Sequence, residues 1–218
     1  MDELSQFGPA LVAWAAGGAG AEAAAVKARR LAHGGVRRAV LVEGTSDRVA
    51  VDALAARAGR DLAAEGIAVV VLGGAMNIGR FLDVCGPPGL DLPLAGLCDK
   101  GEEPFFRRHL ERVGHGTART PGGLDALGFH VCVADLEDEF IRALGADGVQ
   151  EVIAGQGELR PFRTFQGQPA QRTRPVEHQL RRFLGTHSGR KAQYAKALVD
   201  HLDPARIPRP LERLLAHV

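Results

Sequence analysis

VRRAVLVEGTSD, residues 36–47, is the stretch on which the reading of this chain turns. VRRAVLVE (36–43) is an apolar, β-branched run of strand length that ends in a carboxylate and then a glycine. Residues 46–58 follow as a helix, with Val49, Leu54 and Ala58 falling roughly on one face. The same alternation repeats downstream. IAVVVL (67–72) is a second buried strand, stopped by Gly73 and Gly74 before a short helix around 76–84. LPLAGLC (92–98) is a third strand, followed by the helix EPFFRRHLERV (103–113). GFHVCVA (128–134) is a fourth, and EDEFIRALG (137–145) begins the next helix. Strands alternating with helices build βαβ units and a mainly parallel sheet. Continuous rather than alternating apolar strands fit a sheet covered on both faces.

Upstream, residues 9–32 are Ala-rich and end in KARRLAHGG, which reads as one helix closed by Gly34 and Gly35. Downstream, residues 155–175 are rich in Gly, Gln and Pro and read as a long irregular connection. Helices are expected at 147–154, 175–184, 188–202 and 208–217. The chain thus divides into an N-terminal helical segment (1–35), an α/β core (36–154) and a basic helical C-terminal extension (155–218).

The informative acids sit at strand ends. Glu43 closes the first strand and Asp47 follows at a helix start. Asp99 closes the third strand, with Glu102 and Glu103 just beyond. Asp135 closes the fourth, with Glu137, Asp138 and Glu139 beyond. In an open parallel sheet all carboxyl-terminal strand ends share one edge, where ligands bind. Carboxylates gathered there repel one another unless a cation neutralises them, and an all-oxygen set suits a hard ion such as Mg²⁺ or Mn²⁺. Each acid also has a local explanation. Asp47, Asp99 and Asp135 are good N-cap residues, and the acids at 137–139 complement a helix dipole. Glu43, before a glycine, fits that explanation least.

Five segments in order carry a resemblance: LVEGTSDRVAVDALA (41–55), VVVLGGAMNI (69–78), LCDKGEE (97–103), DLEDEFIRALG (135–145) and GRKAQYAKALV (189–199). Over about residues 36–202 the chain resembles the Toprim domain of the overcoming-lysogenization-defect (OLD) nucleases. The resemblance implies a Toprim-like, Rossmann-like four-stranded sheet flanked by helices, with a helical C-terminal extension. It also implies a bacterial, metal-dependent endonuclease or phosphodiesterase. Glu43 and Lys191 would be catalytic, and Glu43, Asp47, Asp99, Glu102, Asp135 and Glu137 would hold metal. One Mg²⁺ or Mn²⁺ ion or two are implied, with Ca²⁺ binding without supporting turnover. The chain departs from the family pattern at Gly101, which occupies the second acidic position of a DxD motif, so that Glu102 or Glu103 would have to substitute. It also has no GxxxxGK[ST] loop, so the ATPase usually fused to these nucleases would be a separate partner or dispensable.

Charge supports a division of labour. Residues 1–155 hold 15 Lys and Arg against 21 Asp and Glu, and residues 156–218 hold 12 against 5. Arg181, Arg182, Arg190 and Lys196 are the expected phosphate contacts, with DNA favoured over RNA. Solvation of ordinary helix faces would produce the same asymmetry.

Other chemistries are weaker. Ser188 and Lys191 make an S-x-x-K spacing without its companion motifs. Tyr194, the only tyrosine, is expected to pack rather than attack DNA. No H-x-x-x-H pair occurs among the eight histidines, and the three cysteines have no metal-ligand spacing. The odd cysteine count, the absence of a signal-peptide pattern and the lack of a long apolar run lead to an expectation of a cytoplasmic protein. Two alternatives stay open: a partner-dependent module that binds metal and nucleic acid, and a nucleotidyl transferase or phosphohydrolase acting on small substrates. A homodimer packed through the Ala-rich N-terminal helix also stays open.

Overall fold

The computed structural model describes residues 3–116, 122–185 and 190–218. Ser188, the serine of the S-x-x-K spacing, lies outside them. Strands β1 (Arg38–Val42), β2 (Ile67–Val71), β3 (Leu94–Cys98) and β4 (Phe129–Val131) form one sheet of order β2-β1-β3-β4. Every pairing is parallel, which is the α/β fold that the strand–helix alternation predicts. The two central strands, β1 and β3, are covered on both faces.

Pleating sends alternate residues to opposite layers. Val40, Val42, Ala95 and Leu97 face one core, which also takes buried residues from α3 (Thr45–Arg57), α7 (Leu136–Gly155), α8 (Leu159–Gln166), α9 (Val176–Gly185), α10 (Arg190–His201) and α11 (Arg209–His217). Ala39, Leu41, Val70, Leu94 and Phe129 face the other, built with α1 (Phe7–Ala16), α2 (Ala21–His33), α4 (Ile78–Cys85) and α5 (Glu103–Arg112). A short helix, α6 (Gly123–Ala126), leads into β4. All three cysteines are buried and free. No helix among the described residues is long and apolar enough to cross a membrane.

Two expectations need correction. The single helix over 9–32 is two, because Gly17 and Gly18 both take positive φ and turn the chain. The irregular connection over 155–175 contains α8, whose buried Phe162 and Phe165 anchor it against Phe183 of α9. The helices expected at 137–145 and 147–154 are both present, as the two arms of α7 on either side of a kink at Gly145, where φ is 75°.

Arginines at the end of α3 fasten the C-terminal helices. Arg57 donates to the carbonyl oxygens of Val199 and of Leu202, the latter at 2.8 Å. Arg60 donates to those of Leu215 and Val218 at 2.6 and 2.9 Å. These carbonyls lie at or next to the last turns of α10 and α11, where helix ends leave backbone acceptors short of partners. A second fastening holds α10. The buried Tyr194 hydroxyl donates to Glu158 at 2.8 Å, and Arg190 pairs with the same carboxylate at 3.0 Å while stacking over Phe183. Tyr194 therefore has the packing role that the sequence suggested. Tyr194→Phe is expected to lower stability by about 1–2 kcal/mol, read as a shift in the chemical-denaturation midpoint at unchanged slope.

Candidate metal centre

β1 ends at Val42, and Glu43 begins the turn to α3. Its carbonyl is held by two donors, the N–H groups of Gly73 at 3.1 Å and Gly74 at 3.3 Å. Both glycines lie at positive φ, 70° and 118°, which brings successive N–H groups onto one oxygen and explains the glycine pair after β2. On the other side Asp47, in the first turn of α3, accepts the Gly44 N–H at 2.7 Å. Glu43 is thus fixed from the neighbouring strand and from its own helix. Asp99 follows β3 directly, and Glu102 sits at the residue before α5 without capping it through its side chain.

Ligand oxygens of Glu43, Asp99 and Glu102 lie within 4.8 Å of one another. The third carboxylate of this cluster comes from Glu102, one residue after Gly101. Glu103, the other candidate, is taken up by ion pairs with Lys100 and Arg107.

The crowding shows in the proton affinities. Burial raises Asp99 from the ordinary 3.8 to about 8, helped by the charges of Asp135, Asp47, Glu43 and Glu102. Burial and the adjoining Glu43 carboxylate raise Glu102 to about 7, and its buried Oε2 has no hydrogen-bond partner. Burial raises Asp47 to about 6 against the pull of the Gly44 N–H, with Glu137 and Glu43 adding to the rise. A hard cation suits such a set, since it would replace the protons and give the orphaned oxygen a partner.

A prediction with a definite sign follows. Without metal, the folded protein holds protons on these acids that the unfolded chain has already released above about pH 4. Their raised values favour the folded state at low pH, and this contribution is lost as pH rises through about 6 to 8. Melting in EDTA should therefore show this falling component between pH 5 and 8. Saturating Mg²⁺ or Mn²⁺ should remove it, and a melting curve indifferent to metal across that range would contradict the reading.

The remaining expected ligands are placed differently. Asp135 caps α7 by accepting the Asp138 N–H at 2.8 Å, and its other oxygen pairs with Arg181 at 2.6 Å. Glu137 pairs with Lys191 Nζ at 3.2 Å. Buried Glu139 braces the local backbone by accepting the Val133 N–H and pairing with Arg142. Asp135 and Glu137 are thus near the cluster electrostatically but already neutralised by bases.

Glu43, Asp47, Asp99, Glu137 and Lys191 all line one cleft of about 560 Å³. Burial would lower the Lys191 pKa, but the charge and hydrogen bond of Glu137, with Asp135 and Asp47, hold it above its usual range. An adjoining cleft shares Glu137, Gly185 and Lys191 and is walled by Arg174, His178, Arg181 and Arg182. Arg190 and Lys196 line neither cleft. Arg190 serves the Glu158 network, and Lys196 pairs with Asp200. The sequence reading missed Arg174 and His178. Their spacing with Arg181, Arg182 and Gly185 is the period of one helix face, which was the available signal.

Strand-end carboxylates pooled at one edge of a parallel sheet are the arrangement expected of a Toprim-type site. Residues 36–100 match the family model described as "Overcoming lysogenization defect protein-like, TOPRIM domain". Over those residues the chain is similar to the Toprim domain of the OLD type. Among solved structures, the C-terminal region of the Burkholderia pseudomallei OLD protein superposes with a TM-score of 0.60 at 21% identity, covering 84% of this chain and 96% of that one. The C-terminal region of the Xanthomonas campestris pv. campestris OLD protein superposes with a TM-score of 0.62 at 26% identity, covering 83% and 93%. No match was found among curated proteins.

Proposed function

We propose that the chain is a divalent-metal-dependent nuclease that hydrolyses or nicks DNA at the Glu43–Asp99–Glu102 rim. One contrast carries the reading. Among the described residues, Glu103, Asp135, Glu137 and Glu139 each pair with a basic side chain. Glu43, Asp99 and Glu102 form no such pair, yet their oxygens are pooled. Electrostatics tolerates that arrangement where a cation joins it.

Glu43, Asp99 and Glu102 would hold Mg²⁺ or Mn²⁺, with Asp47 fixing the Glu43–Gly44 turn behind them. The bound ion supplies a water of lowered pKa and a positive charge against the phosphate oxygens. Lys191 offers its ammonium to the charge that builds on phosphorus during displacement, and Glu137 keeps that ammonium protonated and aimed. Arg174, Arg181 and Arg182 extend the cleft as a cationic wall for backbone phosphates, with His178 as a further lining residue.

The test is nicking of supercoiled plasmid by the purified protein. Activity with Mg²⁺ or Mn²⁺ that is abolished by EDTA is expected, and cleavage of free nucleotides in preference to DNA would overturn the substrate assignment. Arg181→Ala is expected to weaken binding similarly across DNA sequences and to reduce the salt dependence by about one released counterion. Filter binding across a salt series reads both.

A further inference from the structure

We infer that Glu158 is a positioning residue for Lys191 and acts on it through Arg190 and Tyr194. The inference rests on the proposed nuclease reading for the task of Lys191, while the placement rests on the geometry of α10 alone.

The first described turn of α10 is built against local preference. It carries Arg190 and Lys191 and no acid, although cations are unfavourable at the positive end of a helix. The compensation comes from outside the helix. Glu158 accepts from Arg190 at 3.0 Å on one carboxylate oxygen and from the Tyr194 hydroxyl at 2.8 Å on the other. Glu137 takes Lys191 at 3.2 Å. Arg190 and Tyr194 stand just before and one turn after Lys191. Glu158 therefore sets the depth and rotation of the turn from which the Lys191 stem rises, yet it lines neither cleft at the metal centre.

An anchor must itself be fixed, and Glu158 is. At the end of α7, Gly157 takes a φ of 73°. The Gly157 and Glu158 N–H groups then bond back to the carbonyls of Ala154 and Ile153 at 2.9 and 3.0 Å, a left-handed glycine closure of the helix. The Glu158 carbonyl accepts the Phe162 N–H at 3.0 Å, which starts α8. On the other side Tyr194 is buried, and the Arg190 guanidinium lies 4.5 Å from the Phe183 ring centre. Glu137 and Glu158 stand at opposite ends of α7, yet they meet adjacent residues of α10. A straight helix of that length would hold them about 30 Å apart. The kink at Gly145 lets α7 clasp the turn from both sides. Paired cations at a helix start and a broken helix are local costs, and such costs gather where function needs a particular geometry.

The experiment reads Lys191 in two ways on the full chain. In the first, a pulse of acetic anhydride and peptide mass spectrometry measure acylation of Lys191 against the exposed Lys27. Glu158→Gln keeps the shape of the side chain and removes its charge. It should loosen the Glu137 pair and speed Lys191 acylation by about two- to fivefold, the worth of one half-exposed ion pair. In the second, single-turnover cleavage of supercoiled plasmid is followed in saturating Mn²⁺. Glu158→Gln should lower the rate by about tenfold at unchanged metal affinity. In the Lys191→Met background it should cost nothing further, since a residue that acts through the lysine then has nothing to act on. Leu31→Ala, a change buried in the opposite core, should alter neither readout, which separates positioning from general loss of stability. Unchanged acylation, or losses that multiply in the double variant, would overturn the inference. A parent chain that cleaves no DNA while Glu158→Gln still speeds acylation would sink the nuclease reading and keep the placement.

Discussion

Replacing Glu43 with glutamine is expected to lower metal-dependent nicking by on the order of 10³-fold or more while the protein remains folded. The side chain contributes one of three pooled carboxylates, and an amide oxygen is a far poorer partner for a hard cation. The backbone beneath is independent of the change. The Glu43 carbonyl stays bound by Gly73 and Gly74, and Asp47 still accepts the Gly44 N–H. Removing one of several crowded negative charges should also raise the melting temperature without metal, since like charges about 4–5 Å apart repel by a few kcal/mol at the effective dielectric of a protein rim. Lost activity together with gained apo stability is a combination that a merely structural glutamate would not produce. Nicking gels and calorimetric melts on the same preparation measure both. Residual nicking near the parental rate would remove Glu43 from the chemistry.

Lys191→Met is expected to reduce turnover by about 10²–10³-fold with metal binding retained. The ammonium lies in the cleft with the carboxylates, beside Glu137, and its alkyl stem emerges from α10, which Tyr194 and Arg57 hold in place. Methionine keeps the stem and deletes the charge. Calorimetry should therefore report metal binding close to the parental value while single-turnover cleavage falls. Lys191→Arg should recover activity only in part, because a planar guanidinium spreads its charge over a fork that differs in shape from a compact ammonium. If Lys191→Met lost metal binding in proportion to turnover, the lysine would be organising the carboxylates rather than meeting the phosphate.

The sheet was legible because its strands are largely apolar runs bounded by glycine or a charge, with only Arg38 in β1 and His130 in β4 departing from the pattern. The strand-end acids were legible for the same reason. Helix α8 was not, because Leu159, Phe162 and Phe165 are spread through a Gly-, Gln- and Pro-rich stretch and show their common face only once Phe183 packs against them. Linear order also hid which acids are already neutralised. Asp135 and Glu137 look like Asp99 in the sequence, and only the fold brings Arg181 and Lys191 back across α7 to meet them. Arg190 and Lys196 show the converse. Both sit in a basic run, and their positions on α10 direct them to Glu158 and Asp200 instead of to the cleft.

The pairing of β1 with β3 aligns Leu41 with Gly96, and extending that register sets Glu43 opposite Cys98, one step before Asp99. Gly96 permits this closeness. A β-carbon there would lie 2.5 Å from the Leu41 carbonyl oxygen and 2.9 Å from the Phe129 ring. The gap between the Glu43 and Asp99 anchor points is therefore set by the ladder spacing of about 4.8 Å between parallel strands together with one residue's rise of about 3.3 Å along them. Mutation can exchange the groups mounted on that ruler, but it cannot redraw the graduations without dismantling the sheet. Size discrimination by the proposed ion site would thus have a backbone calibration, and swapping acids is expected to retune affinity far more readily than it changes which radius fits.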